Sequence, residues 1–221
     1  MLELIRSGDL ETLDQFLAND KVDVDEADDD GWTALYHAVS LDNHDMVHCL
    51  LDHGADTNIT DTDHRTALHE AVVVGSKDIV DALLEAGADV DARDDHDWSP
   101  VSSACYLGHR DLVKSLVEAG ASVQCQGKQQ CSALAWAAGR GHLEVVKLLL
   151  EYEIDVDSGD RYNLKHMKMI NINTLIRYGT TPLIWAVRSG QHEVVTVLLE
   201  AGAKVDSVGM YAWSALVLAA R

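Results

Sequence analysis

A fixed period of 33 residues is the feature of this chain that most restricts its fold. A segment that opens with Thr or Ser and continues into an apolar stretch recurs, as in "WTALYHAV", "RTALHEAV" and "TTPLIWAV". Its hydroxyl residues are spaced by 33, 33, 33, 49 and 33, at Thr33, Thr66, Ser99, Ser132, Thr181 and Ser214. A constant period of this length is typical of stacked supersecondary units.

Each repeating unit has the pattern of two short helices. The hydroxyl residue is a typical N-cap, and Pro100 and Pro182 occupy the early helical position that tolerates proline. A second apolar segment with helical spacing, such as "GHLEVVKLLL" from Gly141, follows the first. Glycine is the preferred residue just beyond a helix, and it follows the second helix at Gly54, Gly87, Gly120 and Gly202.

One helix pair cannot bury both of its faces, whereas stacked pairs can. We therefore expect an all-α fold, a solenoid of helix-turn-helix units joined by finger-like linkers. The segments "TALHEA" (66–71) and "GADVDA" (87–92) resemble the ankyrin repeat, and the likeness recurs along nearly the whole chain. The resemblance implies an ankyrin-repeat solenoid that binds proteins.

The second half of the chain also resembles the N-terminal region of a narrower family, the ankyrin-repeat-rich membrane-spanning scaffolds or kinase-D-interacting substrates. The segments concerned are "SALAWAAGRGHLEVVKLLLE", "GTTPLIWAVRSGQHEVV" and "GAKVDSVGMYAWSALVLA". This likeness implies the cytosolic arm of a membrane scaffold for neurotrophin-receptor and other signalling complexes. Two alternatives stay open, a free-standing soluble ankyrin adaptor or inhibitor and the targeting module of a larger enzyme such as a ubiquitin ligase or kinase.

We predict a single ankyrin-repeat domain over residues 1–221. It starts with a partial repeat (1–30) and ends with the start of a truncated repeat (212–221). Between them we place repeats at 31–63, 64–96, 97–129 and 130–162, an insertion at 163–178, and a repeat at 179–211.

The insertion at 163–178 explains the one irregular spacing, because removing it restores the period of 33. It contains no Asp or Glu, unlike the acidic repeats around it. Three interpretations remain: a surface loop in a finger, a coding artefact such as a retained short intron, or a binding loop that uses Lys165, Lys168 and Arg177. The cost of closing a loop grows slowly with its length, so a repeat array tolerates such an insertion.

The charge of the chain disfavours two classes of partner. With 37 acidic and 17 basic residues, its formal charge is −20. Such a surface repels nucleic acid and anionic lipid, which bind through basic charge. No apolar run approaches the length of a membrane span, no secretory signal opens the chain, and the four cysteines show no disulfide framework. We therefore expect a cytoplasmic module, at the cytosolic face of a membrane in a full-length scaffold.

No motif in the sequence supports catalysis. His69 and Glu70 begin like a zinc-protease HExxH, but Val73 stands where the second histidine is needed. In the ankyrin pattern, this histidine instead bonds locally and ties adjacent units together. Cys125 and Cys131 lack placed histidines and are a poor zinc site. We predict no enzyme activity, no cofactor and no metal site.

The ankyrin resemblance places a protein partner on the fingers and on the face lined by the first helices. Acidic early fingers and later aromatic and arginine positions suit an extended peptide or receptor tail with basic and apolar residues. We expect a monomeric module. The predicted contact residues are Asp29, Asp30, Trp32, Leu41, Asp63, Arg65, Asp95, Trp98, Tyr106, Leu107, Trp136, Arg140, Trp185, Arg188, Tyr211 and Trp213.

All five tryptophans fall on two repeat positions. Trp136 and Trp185 lie four residues after the hydroxyl residue, where they serve either as partner anchors or as core wedged between first helices. Trp32, Trp98 and Trp213 immediately precede the hydroxyl residue, where they either contact a partner or pack on a neighbouring finger. Exposed tryptophan is a common binding anchor, so exposure of the ring would favour partner contact and burial would favour a packing role.

Overall fold

The computed structural model describes residues 1–19, 22–123, 132–152, 154–158, 180–207 and 214–219. In these ranges the chain forms thirteen helices and no extended strand, which confirms the all-α class. The helices are α1 (Leu2–Ser7), α2 (Leu10–Leu17), α3 (Ala34–Ser40), α4 (His44–Asp52), α5 (Ala67–Val74), α6 (Lys77–Glu85), α7 (Pro100–Leu107), α8 (Arg110–Glu118), α9 (Ala133–Arg140), α10 (Leu143–Glu151), α11 (Pro182–Arg188), α12 (His192–Glu200) and α13 (Ala215–Ala219).

The chain divides into two compact units. Unit 1 comprises Met1–Ser103 with Glu118–Gly120, and unit 2 comprises Ala104–Val117 with Ala121–Arg221. Within unit 1, α1 packs on α2, α3 on α4 and α5 on α6, so that each pair is a helical hairpin. The first helices α1, α3 and α5 lie side by side, and so do the second helices α2, α4 and α6. Every helix of these pairs thus has neighbours both within its own hairpin and in an adjacent one.

Unit 2 repeats the same arrangement. The pairs α9–α10 and α11–α12 are hairpins, α9 packs against α11, and α10 against α12. The hydroxyl residues of these two hairpins are 49 residues apart, yet their helices are direct neighbours. The residues predicted as the insertion, 163–178, lie outside the described part of the chain.

The predicted N-caps are present at most first helices. The Thr33 hydroxyl oxygen accepts a hydrogen bond from the Tyr36 N–H at 3.2 Å, and the Thr181 hydroxyl oxygen accepts one from Ile184 at 3.4 Å. Ser132 forms no such bond and instead contacts the Ser158 hydroxyl at 3.1 Å. A capping side chain satisfies a backbone N–H that the helix itself leaves unpaired, and this explains why the hydroxyl residue opens each repeat.

The core is a seam of aliphatic side chains between hairpins. Its largest fully buried side chains are mostly leucines, supplied by both helices of each hairpin, and include Leu35, Leu50, Leu68, Leu83, Leu134 and Leu149. Alanines at the centre of the first helices are buried as well, and their small size lets neighbouring helices approach closely; these are Ala38, Ala71, Ala104, Ala137 and Ala186. Among the described residues, no helix has the length and apolar character needed to cross a membrane.

Gly31 shows why one linker position requires glycine. Its φ is 80°, in the left-handed region that L side chains seldom adopt. An added Cβ would also lie 3.1 Å from the Asp61 Cα, closer than real Cβ atoms usually approach backbone. The next linker therefore packs directly on the Gly31 backbone.

Candidate protein-binding surfaces

The linkers of unit 1 end in three tips with one hydrogen-bond pattern. In each tip, an aspartate carboxylate accepts from the backbone N–H groups two and four residues later, at 2.8–3.1 Å. We call these segments the fingertip loops: residues 28–32, 61–65 and 94–98. The carboxylates belong to Asp28, Asp61 and Asp94. The first aspartate of each loop is thus a structural residue that fixes the backbone of the tip.

Neighbouring fingertip loops are tied together through their backbones. The Thr62 N–H donates to the Asp30 carbonyl at 3.2 Å, and the Asp95 N–H donates to the Asp63 carbonyl at 3.0 Å. The side chains of Asp29, Asp30, Asp63 and Asp95, predicted as contacts, are all exposed. The Asp95 carboxylate pairs with the His64 imidazole at 2.7 Å. The fingertips therefore present a row of exposed carboxylates on a hydrogen-bonded frame.

The fingertip tryptophans are half-buried. The Trp32 ring packs on the ring of Tyr36, with centroids 4.7 Å apart, and meets His37 at 5.2 Å. His37 also pairs with the Asp28 carboxylate at 2.8 Å, and that hydrogen bond lowers the pKa of Asp28. The Trp98 carbonyl accepts from His69 Nε2 at 3.1 Å. Trp32 thus packs against its own hairpin while part of its ring stays accessible.

Arg65 occupies a predicted contact position but is paired with Glu70. Its guanidinium donates to the Glu70 carboxylate at 2.7 Å, and the Tyr36 hydroxyl donates to the same oxygen at 3.3 Å. Burial raises the pKa of Tyr36, so its hydroxyl stays protonated. Glu70 therefore links its own hairpin to the preceding one through Tyr36, and the charge of Arg65 is already balanced.

Apolar side chains are exposed where the first helices end. Leu41, at the C-terminus of α3, is 53% exposed, and Val73, near the end of α5, is 51% exposed. In unit 2, Leu107 at the end of α7 is 39% exposed. Leu41 and Leu107 were predicted as contact residues, and both are accessible to a partner.

Unit 2 contains a row of aromatic rings flanked by arginines. Tyr106 and Trp136 meet edge to face with centroids 5.4 Å apart, and Trp136 and Trp185 are 6.2 Å apart. The Arg140 guanidinium lies over the Tyr106 ring at 3.9 Å, and the Arg188 guanidinium over Trp185 at 5.7 Å. We call the three rings the aromatic row. Cation–π contacts of this kind hold both exposed arginines at its edge.

Burial separates the two tryptophans of the aromatic row. Trp136 is only 9% exposed, whereas Trp185 is half-buried. An added Cβ at Gly139 would lie 3.4 Å from the Trp185 ring, so the ring packs close to the backbone of α9 at this residue. Trp136 therefore occupies the packed part of the row, and Trp185 the accessible part.

Two residues that hold these surfaces in place were missed by sequence reasoning. His142 Nε2 donates to the Tyr106 carbonyl at 2.9 Å, which ties the start of α10 to the aromatic row, and burial lowers the pKa of His142. Asp61 is buried to 8% exposure although it lies in an acidic linker. The signal for Asp61 was its spacing from Asp28 and Asp94, which equals the repeat period. Of the predicted contacts, Tyr211 and Trp213 lie outside the described residues.

Asp61→Ala is expected to lower the free energy of unfolding by about 1–2 kcal/mol, since two backbone N–H groups lose their charged acceptor. Asp63→Ala, two residues later in the same loop, is the matched control. Because Asp63 is exposed, its replacement should cost about 0.5 kcal/mol or less. Urea unfolding followed by circular dichroism measures both, and equal losses would contradict the structural role of Asp61.

The comparisons with known proteins agree with this geometry. A family model described as "Ankyrin repeats (3 copies)" matches residues 1–94 and 101–209. Among solved structures, the chain is similar to the crystal structure of the human ASB11 ankyrin repeat domain, with a TM-score of 0.80 and 27% sequence identity over 98% of this chain and 90% of that one. No curated protein matches the chain. The closer resemblance to membrane-spanning scaffolds therefore rests on the quoted segments alone.

Proposed function

The chain belongs to the ankyrin repeat family, and from this membership we propose that it is a protein-interaction module whose fingertip loops bind an extended polypeptide. Ankyrin repeats indicate protein–protein interaction as the general role, and such domains are as a rule non-catalytic. The observation that carries the proposal is the row of exposed carboxylates in unit 1, together with the exposed apolar side chains of Leu41 and Val73 at the ends of the first helices that follow the fingertip loops.

The distribution of charge supports a basic partner. Residues 1–103 hold 26 of the 37 acidic residues and 5 of the 17 basic ones, a formal charge of −21, which leaves +1 for residues 104–221. A field of one sign steers an oppositely charged ligand and raises its association rate. A peptide or receptor tail that carries both basic and apolar residues would pair its cations with the fingertips and its apolar side chains with the helix ends.

In unit 2, we propose the accessible part of the aromatic row as a second contact region. Arg140 and Arg188 are exposed, and Trp185 and Leu107 offer partly accessible apolar surface. Arginine and tryptophan are enriched among residues that dominate binding energy. These residues would contact aromatic, apolar or carboxylate groups of a protein partner.

A synthetic peptide of alternating arginine and valine, labelled with fluorescein, tests the charge complementarity. The triple variant Asp29→Asn/Asp30→Asn/Asp63→Asn should bind it about tenfold more weakly, because each exposed ion pair contributes about 0.5 kcal/mol. The control Asp45→Asn/Asp78→Asn/Glu85→Gln removes the same charge from the second helices α4 and α6. Its effect should stay below about threefold, since these charges would make no ion pair with a peptide on the fingertips and would act on it only through salt-screened solvent.

Fluorescence anisotropy at low and high salt is the measurement. The affinity of the wild-type chain should fall as salt is added, and a peptide with glutamate in place of arginine should not bind. Equal weakening by both triple variants would show that net charge alone attracts the peptide, and the fingertip proposal would then be wrong.

At the level of the cell, we propose a cytoplasmic module that serves as the ankyrin arm of a membrane scaffold for receptor and signalling complexes. The segments that resemble such scaffolds support this proposal. A soluble adaptor, an inhibitor or an enzyme-targeting module would bind its partner through the same surfaces, so the surfaces alone do not separate these alternatives. The transcript that encodes this chain tests the choice, because a scaffold requires membrane-spanning segments in the same reading frame.

A further inference from the structure

A cysteine and a histidine at the end of α4 meet an aspartate of the neighbouring helix α2 in unit 1. Cys49 lies in the last turn of α4, His53 caps that helix, and Asp14 lies on the adjacent helix α2. His53 Nε2 is 2.8 Å from an Asp14 carboxylate oxygen, and Cys49 Sγ is 4.0 Å from the same oxygen. The three potential ligand atoms all lie within 4.8 Å of one another.

The helices fix this arrangement. Cys49 and His53 are four residues apart, so both project from one face of α4. The neighbouring second helix α2 packs against α4, and each helix buries leucine close to the cluster in sequence, Leu13 on α2 and Leu50 on α4. The two parts of the cluster are therefore held together by the core rather than by their own contacts.

The donor set suits a borderline-soft dication. Zn²⁺ binds thiolate at about 2.3 Å, imidazole at about 2.0–2.1 Å and carboxylate at about 2.0–2.2 Å, which places the ligand atoms of a tetrahedral ion about 3.4–3.6 Å apart. The separations in unit 1 bracket these values, since they run from 2.8 Å through 4.0 Å to at most 4.8 Å. Three protein ligands leave a fourth position for water or for a ligand from another molecule.

The local charge also favours a cation. The Asp14 and Asp52 carboxylates both lie near the Cys49 thiol, so the cluster carries negative charge before any ion binds. A dication pairs with these carboxylates and with the thiolate, and the thiol proton is released to solvent on binding. The side chains of Cys49 and His53 are half-buried and that of Asp14 is exposed, which leaves an entry path from solvent.

We propose that Asp14, Cys49 and His53 form a site for a divalent transition-metal ion, Zn²⁺ by its donor set, that fastens α2 to α4. The site is independent of the fingertip loops and of any peptide bound there. A bound ion would cross-link the hairpin α1–α2 to the hairpin α3–α4. It would thereby stabilise the contact between these two hairpins.

Titration of the full chain with Co²⁺, without thiol reductants and under inert gas, tests the proposal. One equivalent should produce a thiolate-to-cobalt charge-transfer band in the near ultraviolet and the strong visible bands of a tetrahedral ion. Cys49→Ser should abolish the charge-transfer band, and His53→Ala should weaken Co²⁺ binding by at least about tenfold. The matched control Cys125→Ser/Cys131→Ser, which removes two other thiols, should keep the band at full intensity.

Hydrogen exchange of the peptide that covers α2 is the second readout. Zn²⁺ should slow exchange there at least about tenfold in the wild-type chain and in the Cys125→Ser/Cys131→Ser control, and should have no effect in Cys49→Ser. Far-ultraviolet circular dichroism verifies that each variant keeps its helix content. A wild-type chain without the charge-transfer band, or a Cys49→Ser variant that retains it, would overturn the site.

Discussion

His69→Ala is expected to lower the free energy of unfolding by about 3 kcal/mol. The substitution leaves buried polar groups of two successive repeats without hydrogen-bond partners and creates a cavity. His69 is 2% exposed. Its Nδ1 accepts from the Thr66 N–H at 3.2 Å and contacts the Thr66 hydroxyl at 3.0 Å, while its Nε2 donates to the Trp98 carbonyl at 3.1 Å. One neutral tautomer, protonated at Nε2, satisfies all three contacts.

The exposed residue His64 provides the matched control for His69. His64 has a left-handed backbone (φ 58°), which asparagine tolerates, so His64→Asn removes only a surface ion pair with Asp95 and should cost about 0.5 kcal/mol or less. Urea unfolding measures the two losses, and hydrogen exchange of peptides from α5 and from residues 94–98 localises them. If His69→Ala left exchange at both segments unchanged, the histidine would not tie the two repeats together.

The protonation state of His69 makes the free energy of unfolding depend on pH, and the direction follows from its pKa shift. Burial lowers the pKa of His69 from its usual value of 6.5, so the folded chain binds fewer protons there than the unfolded chain. The stability contributed by the neutral ring is therefore present above about pH 6.5 and is lost as the pH falls through the folded pKa. The pH profile of His69→Gln should be flatter than that of the wild-type chain over this acidic range.

The sequence predicts the helices well because their determinants are local. The 33-residue period, the hydroxyl caps and the glycines beyond the second helices depend on a few adjacent residues. Gly54, Gly87, Gly120 and Gly202 all adopt the left-handed conformation expected beyond a helix. The predicted role of His69, to bond locally and to tie adjacent units together, is also confirmed, since its partners are Thr66 in its own repeat and Trp98 in the next.

Side-chain availability was less predictable, because it depends on contacts between repeats. Arg65 occupies a contact position by pattern, yet its charge is balanced by Glu70, five residues away. From the sequence, Asp28 and Asp61 are expected to be exposed to solvent. In the structure, their carboxylates accept hydrogen bonds from backbone N–H groups of the fingertip loops. In each case the pattern gives the position of the residue, and only the folded hairpin shows its partner.

The metal-ligand cluster shows the same limit. The spacing of Cys49 and His53 is visible in the sequence, whereas Asp14 lies 35 residues before Cys49 on another helix. We predicted no metal site from the sequence, where Cys125 and Cys131 lack placed histidines. The stacking of α2 on α4 supplies the third residue, and neither helix alone indicates it.

Trp136→Ala should have the largest effect on stability, about 3–5 kcal/mol, which is the usual cost of removing a large buried aromatic side chain. Its ring is 9% exposed and contacts the rings of Tyr106 and Trp185. Trp185→Ala, at the same position of the next hairpin, is the control, and we expect a cost of about 1–2 kcal/mol because the ring is half-buried. Urea unfolding followed by far-ultraviolet circular dichroism compares the two variants.

This difference decides how a binding experiment on the aromatic row is interpreted. If Trp136 is core, loss of partner binding in Trp136→Ala reflects a damaged unit 2, and Trp136→Phe should restore both stability and binding. Partner binding by Trp185→Ala then reports the loss of the Trp185 contact itself, since this variant should stay folded. Conversely, a Trp136→Ala chain that keeps its stability within about 1 kcal/mol but loses a partner would assign Trp136 to the interface, and the packing role inferred from its burial would be wrong.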